Sequence, residues 1–497
     1  MRRYFLPIFL ACLLGAADAI PAQPLPSPVA DALAVAGLAP GDLALAIIPV
    51  SSDRLGISHN ADLPFQPGST MKLVTSIAAL DLLGPNYRGK TELLMDGRIG
   101  RGVLRGSLYL RGLADPDLDV QAVWRLLYRL RGQGVRRIRG DVILDRGFFE
   151  PTRTDLGLPP FDESPEWRYN IVPDALNLNG GFLHYLIESD AKTIRVGTDP
   201  PLTGVAVRAR MRFSMASCKD WEDDWKAPSV KVASRTHRVS ITFNGDFPRN
   251  CSAQADLQLF DRDLLANRLI RQLWADMGGR IDGKVKAGAT PKAARVAALH
   301  ESRPLAEVIR HMNKLSDNPL TRLLFLSLGA TASPELREKF PTTQAAAEAR
   351  VQEWMGAQGI STDGVVLENG SGLSRGERIS AWQLATLLRN AYGAAYAPEL
   401  LSSLPLAGVD GTMRKRLKSS LAAGRARIKT GTLRNVSAVA GYVPDADRRM
   451  WVVVAMINHQ NAHGASPVLD AVIDWIASHH LLAEGLVRQF DASAQLH

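Results

Sequence analysis

The chain has 497 residues, of which 46% are apolar and 22% are charged. This length is enough for two or three domains with a sizeable core, and the composition is that of an ordinary globular protein. The formal charge is +9, from 59 basic and 50 acidic residues, but no basic run is interleaved with aromatic side chains. We therefore expect no nucleic-acid partner and a solvated basic surface, with at most a weak association with anionic polymers or membranes.

The N-terminus has the pattern of a secretory signal. Two arginines precede a mostly apolar stretch that is too short for a comfortable membrane span, and residues 17–19 (Ala-Asp-Ala) supply a small-residue cleavage pattern. We therefore expect residues 1–19 to be removed on export and the mature protein to be periplasmic. A lipoprotein signal centred on Cys12 is the weaker alternative, because Phe9 stands where such signals usually have Leu.

The mature chain begins with a predicted strand at residues 42–50 and a helix from Ser69. A Pro67-Gly68 break precedes the helix, and Gly84-Pro85 ends it as a C-terminal signal should. The predicted helix carries its large apolar residues on one side, so this face is expected to pack against a core.

Residues 90 to about 295 have a different character, because glycine-rich turns alternate there with short strand-like runs. One helix-like run, residues 264–277, interrupts them. This region also contains Cys218 and Cys251, an even pair in a protein expected to be exported. A disulfide between them is the favoured interpretation, and two buried thiols are the alternative.

From about residue 303 the helical period returns, with helices predicted over 305–312 and 319–328. Pro467 opens a last helix, as proline does at a first helical position. Before it come three predicted strands: residues 426–432, 436–443 and 450–457.

The early strand and helix must join these late strands in one sheet, because neither part alone closes a core. The prediction is a helix-and-sheet domain of residues 20–90 and 296–497, interrupted by a β-rich insert of residues 91–295. The insert is expected to contain two nested subdomains, the inner one at about 190–260.

Three short motifs occur in order: S-x-x-K at residues 69–72, S-D-N at 316–318 and K-T-G at 429–431. Each is weak by itself. Residues 189–192 also match S-x-x-K, but they precede a strand-like run in which the serine and lysine would not share a face. An isolated S-D-N fits a capping turn with Asn318 as the cap, and an isolated K-T-G fits an edge strand with a surface lysine. Here the three motifs occur in this order, and each lies in a suitable predicted element: a helix start, a turn between two helices and a strand. Together they are the signature of class A β-lactamases and penicillin-binding proteins.

The chemistry of the first motif follows from its spacing. At positions i and i+3 of a helix, Ser69 and Lys72 lie on one face. The free N–H groups at the helix start favour a developing oxyanion. A desolvated, neutral Lys72 could take the proton of Ser69.

The other two motifs supply a relay and a binding edge. Ser316 adds a hydroxyl that can pass on a proton, and Asn318 adds an amide that can hold a substrate carbonyl. Strand alternation puts Lys429 on the same face as Gly431, whose missing side chain allows a ligand strand to approach closely. The opposite face carries two hydroxyl side chains, Thr430 and Thr432.

Other chemistries find no support in the sequence. It contains no G-x-S-x-G elbow and no phosphate-binding G-x-x-x-x-G-K. His459 and His463 have the spacing of a zinc site, but Gln460 stands where a zinc protease needs Glu. We expect no metal and no other cofactor.

With these motifs the chain resembles the D-alanyl-D-alanine carboxypeptidase/endopeptidase family, the class C low-molecular-mass penicillin-binding proteins (peptidase family S13). The long separation of Ser69 and Ser316 supports the resemblance, because β-lactamases keep these motifs much closer. One departure is Thr321-Arg322, where the family often has a small residue and an acid. Further segments that look like the family are residues 102–112 with 115–116, 140–145, 175–179 and the N-G-S-G-L-S-R run at 369–375.

The resemblance implies a mixed α/β catalytic domain of the serine β-lactamase/transpeptidase type, an antiparallel sheet flanked by helices and interrupted by one or two β-rich domains. It also implies the roles of the site residues. Ser69 is the acylated nucleophile and Lys72 its base, and Ser316 and Lys429 shuttle the proton to the leaving D-alanine. Asn318 is implied to orient the substrate peptide. The resemblance also implies that Thr430 and Thr432 hold the terminal carboxylate of the substrate. It implies that the backbone N–H groups of Ser69 and Thr432 form the oxyanion hole.

The implied function is that of a serine D-alanyl-D-alanine carboxypeptidase, endopeptidase or both. It would act on peptidoglycan stem peptides through an acyl-enzyme, with β-lactams as covalent inhibitors and a weak association with the cell wall. A β-lactamase of unusual size is the alternative enzyme, but no sequence feature provides its deacylating water. The alternative that is not an enzyme is a catalytically inactive wall-binding or scaffold protein, and the three intact motifs argue against it.

Overall fold

The computed structural model describes residues 24–51, 56–159 and 161–481, so the predicted signal sequence lies outside the described residues. None of the helices in these ranges has the length and hydropathy needed to cross a bilayer. The helices are α1 (Ser27–Val35), α2 (Lys72–Leu83), α3 (Val120–Gly132), α4 (Arg262–Asp276), α5 (Leu305–Leu315), α6 (Asn318–Ala330), α7 (Pro334–Lys339), α8 (Thr343–Ala357), α9 (Ala381–Tyr392), α10 (Ala397–Ser403) and α11 (Ser466–Ser478).

The strands of the described residues form one sheet built from the two ends of the chain and several other sheets of two to five strands. They are β1 (Leu43–Pro49), β2 (Ile57–His59), β3 (Pro64–Phe65), β4 (Lys90–Met95), β5 (Arg98–Gly100), β6 (Val103–Arg105), β7 (Leu108–Leu113), β8 (Arg137–Ile138), β9 (Val142–Asp145), β10 (Leu183–Ser189), β11 (Ile194–Asp199), β12 (Val205–Ala209), β13 (Arg212–Ser214), β14 (Trp225–Val232), β15 (Val239–Pro248), β16 (Ser252–Leu257), β17 (Arg280–Ile281), β18 (Val285–Ala287), β19 (Arg295–Glu301), β20 (Ile379–Ser380), β21 (Arg427–Leu433), β22 (Val436–Pro444) and β23 (Met450–Asn458).

The main sheet joins the two ends of the chain. Its strand order is β2-β1-β23-β22-β21, and every neighbouring pair is antiparallel. The first long strand therefore pairs with the last, with Leu45 opposite Ala455. The prediction that the early strand shares a sheet with the late strands is confirmed.

Both faces of this sheet are covered by helices, which explains why its three central strands, β1, β22 and β23, are buried along nearly their whole length. In β1, Ala46 faces one core and Ile47 the other, as strand alternation requires. The first core contains Ile77 of α2 and Leu384 of α9. The second contains Val472 of α11 and side chains of α1. The three sequence motifs lie on the side of the sheet that α2 covers, because the Gly68–Met71 turn that leads into α2 packs against β21.

The insert leaves and rejoins this framework through two adjacent strands. β4 and β19 are antiparallel, with Lys90 opposite Glu301, so the chain departs and returns side by side. These strands belong to a five-stranded sheet of order β18-β9-β7-β4-β19, next to a four-stranded sheet of order β17-β8-β6-β5. The helices α3 and α4 pack with these sheets in one continuous apolar cluster.

The seven strands β10 to β16 pair with one another. They form a three-stranded sheet, β11-β10-β16, and a four-stranded sheet centred on β15. Cys218 and Cys251 form a disulfide within this part, as the sequence favours. The domain boundaries inferred from sequence stay a prediction.

Candidate active site

Ser69 lies in a short 3-10 turn, Gly68–Met71, that runs directly into α2 at Lys72. The predicted helix therefore begins with a tighter turn, but the expected side-chain proximity is present. Lys72 Nζ lies 2.9 Å from Ser69 Oγ. It also donates to Asn318 Oδ1 at 2.7 Å and to the carbonyl oxygen of Ser371 at 2.5 Å.

The three partners of Lys72 are all oxygen atoms that can accept: an amide oxygen, a carbonyl oxygen and the Ser69 hydroxyl. An ammonium would donate to all three. A neutral amine would keep the bonds to Asn318 and Ser371 and accept the proton of the Ser69 hydroxyl. Burial lowers the pKa of Lys72 well below its ordinary value, and the nearby charge of Lys429 lowers it further.

The S-D-N motif joins α5 to α6. Ser316 ends α5 in the left-handed region, at φ +60°, and its hydroxyl accepts a hydrogen bond of 2.9 Å from Lys429 Nζ. Lys429 also donates to the carbonyl oxygen of Thr430 at 2.8 Å. The Lys429 side chain is fully buried, and this burial lowers its pKa to about 7. The turn thus holds a second low-pKa amine against a hydroxyl.

The capping residue of α6 is not the one predicted. Asp317 is the N-cap, because its carboxylate accepts from the backbone N–H of Leu320 at 2.9 Å. Asn318 is already the first helical residue, so the interpretation of Asn318 as a cap is wrong. Its side chain is instead free to reach Lys72 with its oxygen and the carbonyl oxygen of Tyr169 with its nitrogen.

The K-T-G motif lies on β21, an edge strand of the main sheet, beside the Ser69 turn. Gly431 faces that turn. A Cβ added to it would stand 2.6 Å from the carbonyl oxygen of Pro67 and 2.9 Å from the backbone nitrogen of Ser69. The glycine is thus needed for the strand to reach the turn, which differs from the predicted reason, the approach of a ligand. On the other face, Thr430 Oγ1 donates to Thr412 Oγ1 at 2.8 Å and Thr432 is exposed.

The insert contributes to the site, which the sequence analysis missed. Arg168 donates to the Asp317 carboxylate at 2.5 Å, and Tyr169 is the backbone partner of Asn318. The next carbonyl oxygens, of Asn170 and Ile171, accept from a buried arginine of α6. No local pattern marks this segment as functional, because its partners in the site, Asp317, Asn318 and Arg322, lie about 150 residues along the chain.

The N-G-S-G-L-S-R segment packs against the Ser69 turn, and a buried acid holds its shape. Glu377, fully buried, accepts from the backbone N–H groups of Gly370 and Gly372 at 2.7 and 2.6 Å, and from two neighbouring ones. Burial raises its pKa, and these N–H bonds act in the opposite direction. This conformation presents the carbonyl oxygen of Ser371 to Lys72. The sequence analysis missed Glu377, although an acid two residues after this run was a usable signal.

The second S-x-x-K is not part of a comparable site. Ser189 ends β10 and donates to the carbonyl oxygen of Pro248 at 2.6 Å. Lys192 is exposed in the following turn. The two side chains have separate surroundings, as the strand context predicts.

Comparison with known proteins places this geometry in a family. The model of the D-Ala-D-Ala carboxypeptidase 3 (S13) family matches residues 26–478. The D-alanyl-D-alanine carboxypeptidase of Actinomadura sp. (strain R39) is 29% identical over 427 residues, which cover 83% of this chain and 76% of that protein. The D-alanyl-D-alanine carboxypeptidase DacB of Haemophilus influenzae is 25% identical over 420 residues, covering 82% and 84%.

A solved structure shows the same fold. The crystal structure of penicillin binding protein 4 (dacB) from Haemophilus influenzae superposes with a TM-score of 0.74 at 23% identity, covering 91% of this chain and 99% of that one. The mixed α/β, transpeptidase-like fold with inserted β-rich domains is therefore confirmed.

Proposed function

Because this chain belongs to the D-Ala-D-Ala carboxypeptidase 3 (S13) family, we propose that it is a serine enzyme that hydrolyses D-alanyl-D-alanine bonds in peptidoglycan stem peptides through an acyl-enzyme at Ser69. The observation that carries the proposal is the set of three contacts of Lys72. They place a buried amine with a lowered pKa within 2.9 Å of the Ser69 hydroxyl.

In the first step, Lys72 takes the proton of Ser69 as Oγ attacks the carbonyl carbon of the penultimate D-alanine. The backbone N–H groups of Ser69 and Thr432 receive the negative charge that develops on the carbonyl oxygen. The contacts of Gly431 with the Ser69 turn support this role, because they bring the backbone of β21 against the nucleophile.

In the second step the peptide bond breaks, and the leaving D-alanine nitrogen needs a proton. Lys429 and Ser316 form the relay that delivers it, since a lysine with a pKa of about 7 can both give and take a proton near neutral pH. The hydroxyls of Thr430 and of the exposed Thr432 hold the terminal carboxylate, and Asn318 orients the peptide. Water then hydrolyses the acyl-enzyme at Ser69.

The same proposal extends to location and organisation. The mature protein acts in the periplasm after removal of residues 1–19, and β-lactams acylate it at the same serine. The catalytic domain comprises residues 20–90 and 296–497, with the insert at 91–295. Relatives that are D-alanyl-D-alanine carboxypeptidases support the location, and the adjacent exit and return strands support a single inserted region, whose return strand β19 runs on to Glu301.

Intact-mass measurement after penicillin treatment tests the nucleophile. The wild-type protein should gain one acyl group, and Ser69→Ala should gain none. Ser189→Ala is the matched control, because it removes the serine of the other S-x-x-K, and it should label like the wild type. Acylation of Ser69→Ala to the wild-type extent would refute the assignment.

The reaction itself is tested on purified muropeptides, with the products read by mass. Loss of one terminal D-alanine identifies a carboxypeptidase, and division of a cross-linked dimer identifies an endopeptidase. A protein that turns over penicillin rapidly but leaves both muropeptides intact would be a β-lactamase, contrary to the proposal.

A further inference from the structure

Arg322, on α6, is a buried arginine that the mechanism above does not use. It is only 2% exposed, and burial lowers its pKa to about 10, still high enough to keep it charged at neutral pH. Its Nε and Nη2 have no hydrogen-bond partner among the described residues. A buried cation with two unsatisfied N–H-bearing atoms is costly for the fold. Stability alone therefore does not explain an arginine at this position.

The contacts that the Arg322 side chain makes in the described part of the chain are with one segment of the insert. Its Nη1 donates to the carbonyl oxygens of Asn170 and Ile171 at 3.0 and 3.1 Å. The Phe161 ring centre lies 4.0 Å from Arg322 Cζ, a cation–π distance. Arg322 thus fixes the backbone of residues 170–171 against α6.

The same segment fixes the orientation of the Asn318 amide. The carbonyl oxygen of Tyr169 accepts from Asn318 Nδ2 at 3.2 Å, while Asn318 Oδ1 accepts from Lys72 at 2.7 Å. An amide that turned over would present its nitrogen to the lysine instead, because the two ends of the group differ only in donor and acceptor character. The bond to Tyr169 therefore favours the orientation in which the oxygen faces Lys72. It also leaves the second N–H of Nδ2 for a substrate carbonyl.

The segment is anchored at its other end inside the insert. Asp174 is 1% exposed, and its Oδ2 accepts from Arg146 Nε and Arg262 Nη1 at 2.7 and 2.8 Å. Arg262 Nη2 also donates to the carbonyl oxygen of Val172 at 2.7 Å. Residues 169–174 therefore run between two fixed points, one in the insert at Asp174 and one on α6 at Arg322.

We propose that Arg322 is a positioning residue for acylation, which holds the insert segment 169–174 against α6 so that the Asn318 amide keeps its oxygen towards Lys72. Arg322 acts through this segment and not on the reacting atoms. The role rests on the proposed function, because it concerns the acylation of Ser69. It also gives the insert a part in the chemistry, through backbone carbonyl oxygens.

The test compares Arg322→Met with Arg350→Met in the full mature chain. Arg350 is a half-buried arginine of α8, and its Nη1 donates to Leu328 and Thr331 within the catalytic domain. Arg322→Met should lower the second-order rate of acylation by a fluorescent penicillin about tenfold, whereas Arg350→Met should keep the wild-type rate. The expected loss is smaller than the about 10²-fold cost of a 1 Å misplacement, because Asp174 still anchors the segment.

Two further measurements separate positioning from a general structural role. The melting temperature of Arg322→Met should stay close to that of the wild type, since the loss of two hydrogen bonds is offset by the removal of a buried, partly unsatisfied charge. Arg322→Lys should recover most of the acylation rate, because its ammonium can donate to the same carbonyl oxygens. Arg322→Gln replaces the methionine variant if that variant does not fold, with the same expected loss of rate.

The outcomes distinguish this role from the proposed function. Equal acylation rates in Arg322→Met and the wild type would overturn the positioning role and leave the proposed function intact. A slower rate together with a much lower melting temperature, and no recovery in Arg322→Lys, would show a general structural role and would also overturn it. A wild-type protein that penicillin does not acylate at Ser69 would contradict the proposed function, and this role with it.

Discussion

Replacing Gly431 by alanine tests how closely β21 must approach the nucleophile. The added Cβ would meet three backbone atoms of the Ser69 turn, at 2.6 Å from Pro67 O, 2.9 Å from Ser69 N and 3.1 Å from Thr70 N. Backbone atoms cannot rotate aside as a flexible side chain can. To reach an ordinary contact of 3.4 Å with the Pro67 oxygen, the strand and the turn have to separate by about 0.8 Å.

This separation should damage catalysis more than stability. Misplacement of reacting groups by about 1 Å can cost about 10²-fold in rate. Overpacking of a well-packed site typically costs about 1–3 kcal/mol. We therefore expect Gly431→Ala to remain folded, with a modestly lower melting temperature, while its second-order rate of acylation by a fluorescent penicillin falls about 10²-fold.

Gly356→Ala is the control, because Gly356 lies within α8 and a Cβ there meets no atom within 4 Å. Alanine in a helix interior is better than glycine by about 0.5–1 kcal/mol, so this variant should keep its acylation rate and be equally or more stable. A wild-type acylation rate in Gly431→Ala would refute the argument that the turn and the strand are held at contact distance for catalysis.

Three further predictions follow from the contacts and burial of other residues. Burial lowers the pKa of Lys429 to about 7, so the unfolded chain binds more protons between about pH 7 and 10 and stability rises with pH there. Lys429→Met should therefore raise the melting temperature most below about pH 7 and least near pH 10, and a gain independent of pH would contradict this reasoning. Arg168→Ala should slow penicillin acylation by up to about fivefold, because a partly exposed ion pair such as the one at the S-D-N turn contributes at most about 1 kcal/mol. Arg212→Ala, which breaks an exposed pair in the insert, should not slow acylation, and equal rates in both variants would count against a role of the insert in the site. Replacing Cys218 and Cys251 together by serine should lower the free energy of unfolding by about 2–4 kcal/mol and leave acylation unchanged, and slower acylation would show that the disulfide supports the site.

Much of the catalytic group could be predicted because its determinants are local. The i, i+3 spacing places Lys72 beside Ser69 in any helix-like turn, and the 2.9 Å contact confirms it. Strand alternation likewise predicts that Lys429 and Gly431 share one face of β21 and Thr430 and Thr432 the other, and the first pair is buried in the structure while Thr432 is exposed. The need to close a core also predicted that the early strand joins the late strands in one sheet, and the order of β1, β23 and β22 agrees.

What the sequence by itself determined, then, is the set of motifs, the elements that carry them and the family. Only the tertiary structure decided how distant segments complete the site. It brings Arg168 of the insert to Asp317, places Glu377 under the Ser69 turn and buries Arg322 against backbone carbonyl oxygens of the insert. It also makes Asp317 the cap of α6, which frees the Asn318 side chain for Lys72. The physical reason is that hydrogen bonds and burial depend on which residues meet in space, whereas periodicity and spacing report only on neighbours along the chain.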